Sequence, residues 1–370
     1  MAAIDVLLPV RNGIPFLGEA IDSIQNQTIS DWRLLILDHG SSDGSLELSH
    51  KYADVEKRIK VFSFPNATGL AGLLNAGLER CDCRHVTRQD HDDISLPNRM
   101  ETISGLFESN PGLLLAGGDA KVIDPVGNEI GYLRMPSSPA ALSAASFFYN
   151  PILHPAVSLG FAALGRLGGR YGKDILNALP ASQSVTVNSL AEDYSLFGQL
   201  ALLGPCANIN VPLIKYRRHG RSVGISNPIA QLELSLQISR FLAKSFCVMK
   251  GLEVFDPGPF CNHADYVFDF HLRDYSTQYA QMSDALRRGL GHSTELEREL
   301  AFRWVLTTRS SVQMSRRYLQ FEFQHSVTPT ERRTVRNWLL RGVRNGKYVY
   351  RSDVQSSANE NVRKRIGQFE

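Results

Sequence analysis

The chain opens with a run of apolar, β-rich positions, IDVLLPV from Ile4 to Val10, which a polar RNG turn breaks. After it, Phe16, Leu17, Ala20, Ile21 and Ile24 recur at the spacing that puts them on one face of a helix. The alternation then repeats. WRLLILD (Trp32 to Asp38) reads as a second buried strand, followed by the turn residues HGSSDGS and a helix from Leu46 to Tyr52. RIKVFSF (Arg58 to Phe64) reads as a third, with NATG and a helix through Leu70 to Leu78 behind it, and HVTRQD and GLLLAGGDAKVID read as the fourth and fifth. Strands alternating with helices predict an α/β fold: a Rossmann-like, mostly parallel sheet with helices on both faces. Ligands of such sheets bind where the strands end at their carboxyl sides. Those ends carry Pro9, Val10 and Arg11, then Asp38 and His39, then Asp90, Asp92 and Asp93, so polar chemistry is expected along one edge.

From residue 119 to 226 the chain is rich in Gly, Pro and small residues. Its clear amphipathic helix begins near Ala191 in AEDYSLFGQLALLG, where Leu196, Phe197, Leu200 and Leu203 share a face and Gly204-Pro205 ends it. Glu192 and Asp193 then fall in the first turn, where the helix dipole favours negative charge. Asn227-Pro228 reads as a boundary, and helical patterns dominate beyond it. They run through Leu232, Leu236 and Ile238 to Leu242, then Thr294 to Arg303 behind a Thr294/Glu297 capping box, then Thr330 to Val343 behind Thr328, Pro329 and Glu331. The predicted parts are 1–118, 119–226 and a C-terminal α-helical region, 227–370.

Composition narrows the class. A chain of 370 residues, 43% apolar and 21% charged, suits a soluble globular protein of two or three domains. A net charge of +3 creates no field that commits it to nucleic acid. Basic residues do gather late, with 12 Lys or Arg against 5 Asp or Glu from Arg316 onward. Arg332, Arg333, Arg336, Arg341, Arg344 and Lys347 interleave with Trp338, Leu339 and Leu340, a pattern that fits either a solvated helical face or one that adsorbs to an anionic membrane surface. Five cysteines, an odd number without a CxxC pair, point to reduced thiols rather than a disulfide framework. No charged n-region precedes the first strand, and no apolar run nears the roughly 18 residues of a membrane helix. A cytoplasmic protein, or one peripheral on the inner face of the plasma membrane, is expected.

The acidic run RQDHDD carries the sharpest chemical signal. Three carboxylates in four positions repel one another unless a cation neutralises them. An Asp at the end of a buried strand is held rigidly, and a second one two positions on presents oxygen to a hard ion such as Mg²⁺ or Mn²⁺. By itself DxD also suits an acidic turn or a helix cap. LLPVRNGIPFLGEAIDSIQNQTISDWRLLILDHGSSDGS, NATGLAGLLNAGL, TRQDHDDISLPNRM, NPILHPAV, AEDYSLFGQLALLG and NINVPLIKYRRHGRSVG together resemble, in order and spacing, the family 2 inverting glycosyltransferases of the GT-A fold, of the bacterial surface-polysaccharide type. The resemblance covers roughly Ile4 to Ile225 and leaves the helical region outside.

It implies a metal-dependent, inverting enzyme that uses Mn²⁺ or Mg²⁺ to move one sugar from a nucleoside-diphosphate sugar to a glycan or lipid-linked glycan. Residues 1–118 would be the nucleotide-sugar-binding half and 119–226 the acceptor-binding half. Pro9, Val10, Arg11, Asp38 and His39 would hold the base and ribose, with Gly69 at the turn into the next helix. Asp90 would hold the ribose or a metal-bound water, Asp92 the metal, and His219 the metal or a phosphate. Arg88 and Arg217 would contact the donor or its phosphates, and Asp193 would be the general base. His154 is expected to position a loop, Asp93 to cap the next helix and Arg99 to neutralise the cluster. A UDP-sugar is favoured, but His39 stands where relatives usually carry an acid, which leaves another nucleotide open. The membrane helices and QxxRW element of processive relatives are not found, which predicts non-processive transfer. The alternatives are a catalytically silent GT-A scaffold and a sugar nucleotidyltransferase, which would carry a Gly-rich, Arg-containing loop where this chain has PVRNG.

Overall fold

The computed structural model describes residues 2–220, 228–262 and 274–345. The chain packs as two units, one of Met1–Leu142, Asn150–Leu176 and Val185–His219, the other of Ser143–Tyr149, Asn177–Ser184 and Gly220–Glu370.

The first unit starts as the hydrophobic pattern predicts, with β1 (Ala2–Val10), α1 (Leu17–Gln25), β2 (Trp32–Asp38), α2 (Ser45–Val55), β3 (Ile59–Ser63), α3 (Gly69–Leu78) and β4 (Cys83–Arg88). β1 pairs in parallel with β2 and β4, and β2 with β3. Both faces of β1 are covered, which is why Val6 to Val10 are all apolar; Asp5, the one charged residue of the strand, is buried and paired with Arg33 at 2.6 Å. Ile4, Val6, Leu8 and Val10 pack with Leu17, Ala20, Ile21 and Ile24 of α1, and Leu7 packs with Leu73 and Leu74 of α3. Each fully buried Val, Leu or Ile among them stabilises the fold by about 1.5–3 kcal/mol relative to exposure. Gly77 lets α3 lie close on the sheet, since a Cβ there would stand 2.5 Å from Leu37 Cδ1.

The chain continues through β5 (Ile94–Ser95), α4 (Arg99–Ser109), β6 (Leu115–Ile123), β7 (Glu129–Leu133), α5 (Pro139–Ala145), β8 (Ser158–Gly160), α6 (Phe161–Arg166), α7 (Glu192–Leu203) and β9 (Cys206–Arg217). The sheet order is β3-β2-β1-β4-β8-β6-β9-β5, with β7 on β6. β6 and β9 pair in parallel, while β5, β7 and β8 join antiparallel. The stretch rich in Gly, Pro and small residues, 119–226, therefore contains three strands of the sheet, β7, β8 and β9. β9 was hidden because Pro212 cannot donate to a ladder, and the register with β6 shifts around Asp119, opposite that proline.

The second unit is helical: α8 (Pro228–Lys250), α9 (Ser276–Leu290), α10 (Thr294–Val305), α11 (Ser311–Gln324) and α12 (Pro329–Asn345). Leu236, Cys261, Phe302, Val305, Leu306, Met314, Phe321, Val335 and Trp338 form its core. The expected cap of α12 forms, with Thr328 N–H donating to Glu331 Oε2 at 2.8 Å and Glu331 N–H to Thr328 Oγ1 at 3.2 Å. That of α10 does not. Ser293 is the N-cap, accepting from Leu296 N–H, and Glu297 turns outward to take both prongs of Arg287 at 2.7 Å. Trp338 fits neither the solvated nor the membrane-facing alternative: it is buried, with Arg309 stacked on it at 4.1 Å. Lys347, the last dozen residues and the side chains of Arg341 and Arg344 lie outside the described part. No helix among the described residues is long and apolar enough to cross a membrane.

Candidate active site

The loops that follow β1 and β2 are laced together. Asn12, at φ 56°, accepts from Ser42 N–H at 2.8 Å, Gly13 N–H donates to Ser45 Oγ at 2.8 Å, and Ile14 N–H to Asp43 Oδ2 at 3.0 Å. Pro9 and Val10 are buried in the strand and Arg11 is exposed beyond it. Asp38 is buried, and its carboxylate accepts from the N–H groups of Gly40 and Ser41 at 3.0 and 3.2 Å, so it builds the loop that carries His39. His39 Nε2 lies 3.0 Å from the Ala67 carbonyl. A carbonyl only accepts, so Nε2 carries the proton and Nδ1 of the neutral ring is an acceptor.

The aspartate loop follows β4. Asp90, Asp92 and Asp93 each bring an oxygen within 4.8 Å of the others. Burial and the charges of Asp92 and Asp90 push Asp93 well above the usual carboxylate range. Asp92 differs: burial alone would raise it, but the His219 hydrogen bond and the nearby His91 and His219 hold it below the usual carboxylate range. His219 Nε2 donates to Asp92 Oδ2 at 2.8 Å, and its ring stands 5.1 Å from that of Phe16. Asp93 does not cap α4, whose N-cap is Asn98; its Oδ1 accepts from Arg217 N–H at 2.7 Å instead.

Arg217 and Arg99 are structural clamps. Arg217 Nε donates to the Asp92 carbonyl at 2.9 Å, Nη1 to the Pro125 carbonyl at 3.0 Å and Nη2 to Glu19 at 2.5 Å, with Phe16 under the guanidinium. Each nitrogen thus donates within the protein, and through these bonds Arg217 holds the loop. Arg99, fully buried, donates to Gln89 Oε1, Ser95 Oγ and the Arg88 carbonyl, bracing the strand end from behind.

Across the edge, α7 begins with Glu192 and Asp193. Leu190 and Ala191 before it both hold left-handed backbone, φ 63° and 64°, at about 1–2 kcal/mol each for residues with a Cβ. Gly69 touches the same loop. At φ +64°, a Cβ on it would lie 2.4 Å from the Asn188 carbonyl, so its place is set by the approach to the loop that delivers Asp193. Asn150 Nδ2 donates to Asp193 Oδ2 at 2.9 Å, and His154 Nδ1 stands 3.8 Å from Glu192 and 4.0 Å from Asp193. Burial, with Asp193 beside it, raises Glu192 to about 8; burial, opposed mainly by the N–H groups of the first turn, raises Asp193 to about 6. Burial and the Arg88 charge keep His154 neutral.

Arg88 lies between the two sides. Its Nη2 meets Asp90 Oδ1 at 2.5 Å, and it is 5% exposed, yet Nε and Nη1 have no hydrogen-bond partner. Asn150 had no mark in the sequence beyond its place in NPILHPAV, because the contact that gives it a role spans 43 residues.

Residues 5–144 match the family described as Glycosyl transferase family 2. The chain is 26% identical over 247 residues to an uncharacterized glycosyltransferase of Haemophilus influenzae, covering 64% of this chain and 72% of that one. It is 26% identical over 226 residues to the O-antigen biosynthesis glycosyltransferase WbnJ of Escherichia coli, covering 59% and 81%. Among solved structures, residues 1–349 of S. aureus TarS, crystallised with UDP-GlcNAc, share the fold at a TM-score of 0.54 and 14% identity, over 96% of this chain and 95% of that one.

Proposed function

We propose, from the premise that residues 5–144 are a family 2 glycosyltransferase domain, that this protein is an inverting, divalent-metal-dependent and non-processive transferase. It moves one sugar from a nucleoside-diphosphate sugar to a glycan or lipid-linked glycan in surface polysaccharide synthesis. The relative named for O-antigen biosynthesis supports that setting. The observation that carries the reading is the pairing, across one sheet edge, of an ionised Asp92 and the ion pair between Asp90 and the buried Arg88 with a second carboxylate, Asp193, raised to about 6.

The residues fit Mn²⁺ or Mg²⁺. The donor set is all carboxylate oxygen, three groups within 4.8 Å of one another, and among the described residues only Asp90 Oδ1 of this set meets a cation of the protein, Arg88 Nη2, besides the His219 contact of Asp92. Asp92 would hold the ion, with Asp90 beside it and His219 relinquishing its hydrogen bond. Bound there, a divalent ion supplies Lewis-acid stabilisation of a diphosphate leaving group. The protein's own residues do the rest. The laced loops after β1 and β2, in the half of the domain before residue 119, bind the nucleoside. His39 Nδ1 accepts from a ring N–H, which uracil, thymine and guanine offer and cytosine does not. The half after it holds the acceptor, whose hydroxyl proton Asp193 takes during attack from the face opposite the leaving group. One base suffices for inversion and no covalent nucleophile is required.

The partner proposed for the second unit is an anionic membrane surface, met by α11 rather than α12. Val312, Leu319 and Phe323 are 68%, 63% and 92% exposed on one line of α11 with Arg316 among them, and Arg332, Arg333 and Arg336 of α12 are also exposed. Flotation with anionic vesicles should carry the wild type and leave Phe323→Asp behind; equal flotation of both would sink this part.

The central test is a thermal-shift series with UDP, GDP, dTDP and CMP, with and without Mn²⁺. A Mn²⁺-dependent rise for a nucleoside diphosphate is expected, lost in Asp92→Ala and kept in Asp193→Ala, which in turn loses transfer. No rise with any nucleotide in folded protein would favour a silent scaffold.

A further inference from the structure

We infer that Asn150 is the positioning residue that aims the carboxylate of Asp193, an inference that rests on the reading of Asp193 as the base. The side-chain amide is tied at both ends. Its Oδ1 accepts from Ile152 N–H at 3.3 Å and its Nδ2 donates to Asp193 Oδ2 at 2.9 Å. A backbone N–H only donates, so the oxygen is identified and the nitrogen must face the carboxylate. The support is stiff: Asn150 precedes Pro151, which disfavours helical backbone at that position, and both Pro151 and Ile152 are buried.

The other charged and titratable groups around Asp193 do not do this job. Glu192 is its neighbour on α7, His154 Nδ1 is 4.0 Å away, and Arg88, Asp90 and Tyr171 act through charge and burial. Among the described residues, Asn150 gives Asp193 the one side-chain hydrogen bond it receives. Two consequences follow. The amide holds Oδ2, which fixes the rotation of the carboxylate and with it the direction in which Oδ1 faces. A donor that favours the ionised form also opposes the burial that raises this carboxyl, so Asp193 is a base over a wider pH range than burial alone allows.

The test needs no known substrate. Full-length protein labelled with [4-¹³C]aspartate is titrated by NMR in a Glu192→Gln background, which removes the coupled neighbour. Loss of one carboxyl signal in Asp193→Asn makes the assignment. Replacing Asn150 by Leu should raise the Asp193 midpoint by about half to one pH unit. Asn150→Ser, which still donates, should raise it less, and serves if the Leu variant fails to fold. Mn²⁺-dependent stabilisation by UDP should be unchanged in both. A midpoint that stays put in folded Asn150→Leu, or in Asn150→Ser where Leu does not fold, overturns the inference. Hydrolysis of UDP-GlcNAc with Mn²⁺, compared between wild type and Asp193→Asn, tests the base reading separately. An Asn variant as fast as wild type overturns that reading while the titration stays interpretable.

Discussion

At the scale of single residues, chemistry is set by how burial and local donors divide a row of similar carboxylates. Asp92 is held below the usual carboxylate range and Asp93 well above it although they are adjacent, because His219 donates to one while the other is buried among like charges. Asp193 and Glu192 repeat the contrast at about 6 and about 8. The base role then predicts a transfer rate that rises as pH passes upward through about 6. The same shift has a stability consequence of definite sign. An unfolded Asp titrates near ~3.9. With the folded value above that, the protonated form's contribution is complete below the unfolded pKa and is lost as pH climbs through about 6. Asp193→Asn should therefore raise the melting temperature relative to wild type, and by more at pH 8 than at pH 4.5. A gap that does not change with pH would mean the carboxyl is solvated.

At the scale of elements, the site is held by contacts that cross the sheet edge. β9 ends in Arg217, whose donors reach α1 through Glu19, the aspartate loop through the Asp92 carbonyl and the turn after β6 through Pro125. Arg217→Lys should lose about 1–3 kcal/mol by denaturant unfolding and weaken Mn²⁺-dependent nucleotide binding, because an ammonium cannot span those directions. Full retention of both would relegate the clamp to decoration. Gly69→Ala acts on the other side. It strains a left-handed position and meets the Asn188 carbonyl, so it should displace the loop before α7 and cut transfer while the UDP-induced thermal shift persists. An unaffected rate would show that loop to be compliant.

At the scale of the whole molecule, two units divide the work. The first carries the sheet and every candidate site residue; the second is helical around its own core. Its surface departs from an even solvated face because three of its most exposed apolar residues, Val312, Leu319 and Phe323, fall on one line of α11. Vesicle binding through them and their arginines should weaken with salt, as exposed charges are screened beyond about 10 Å at 0.1 M. All five cysteines are free, so the melting temperature should not respond to reductant; a fall on adding dithiothreitol would reveal a disulfide.

The sequence by itself determined β1 to β4, the helices between them and the edge on which the aspartates lie. Those features come from local periodicity, and a parallel α/β sheet leaves its strand ends few places to go. It also marked Glu192 and Asp193, through the amphipathic pattern behind them. Tertiary structure decided the rest: that Pro212 sits in a sheet strand, that Arg217 is a clamp, that Asp38 serves its own loop, that His39 presents an acceptor and that Asn150 meets Asp193. Each of these depends on a partner distant in sequence or on a hydrogen-bond direction, and neither periodicity nor residue type encodes which donor will be spent on which acceptor once the chain has folded.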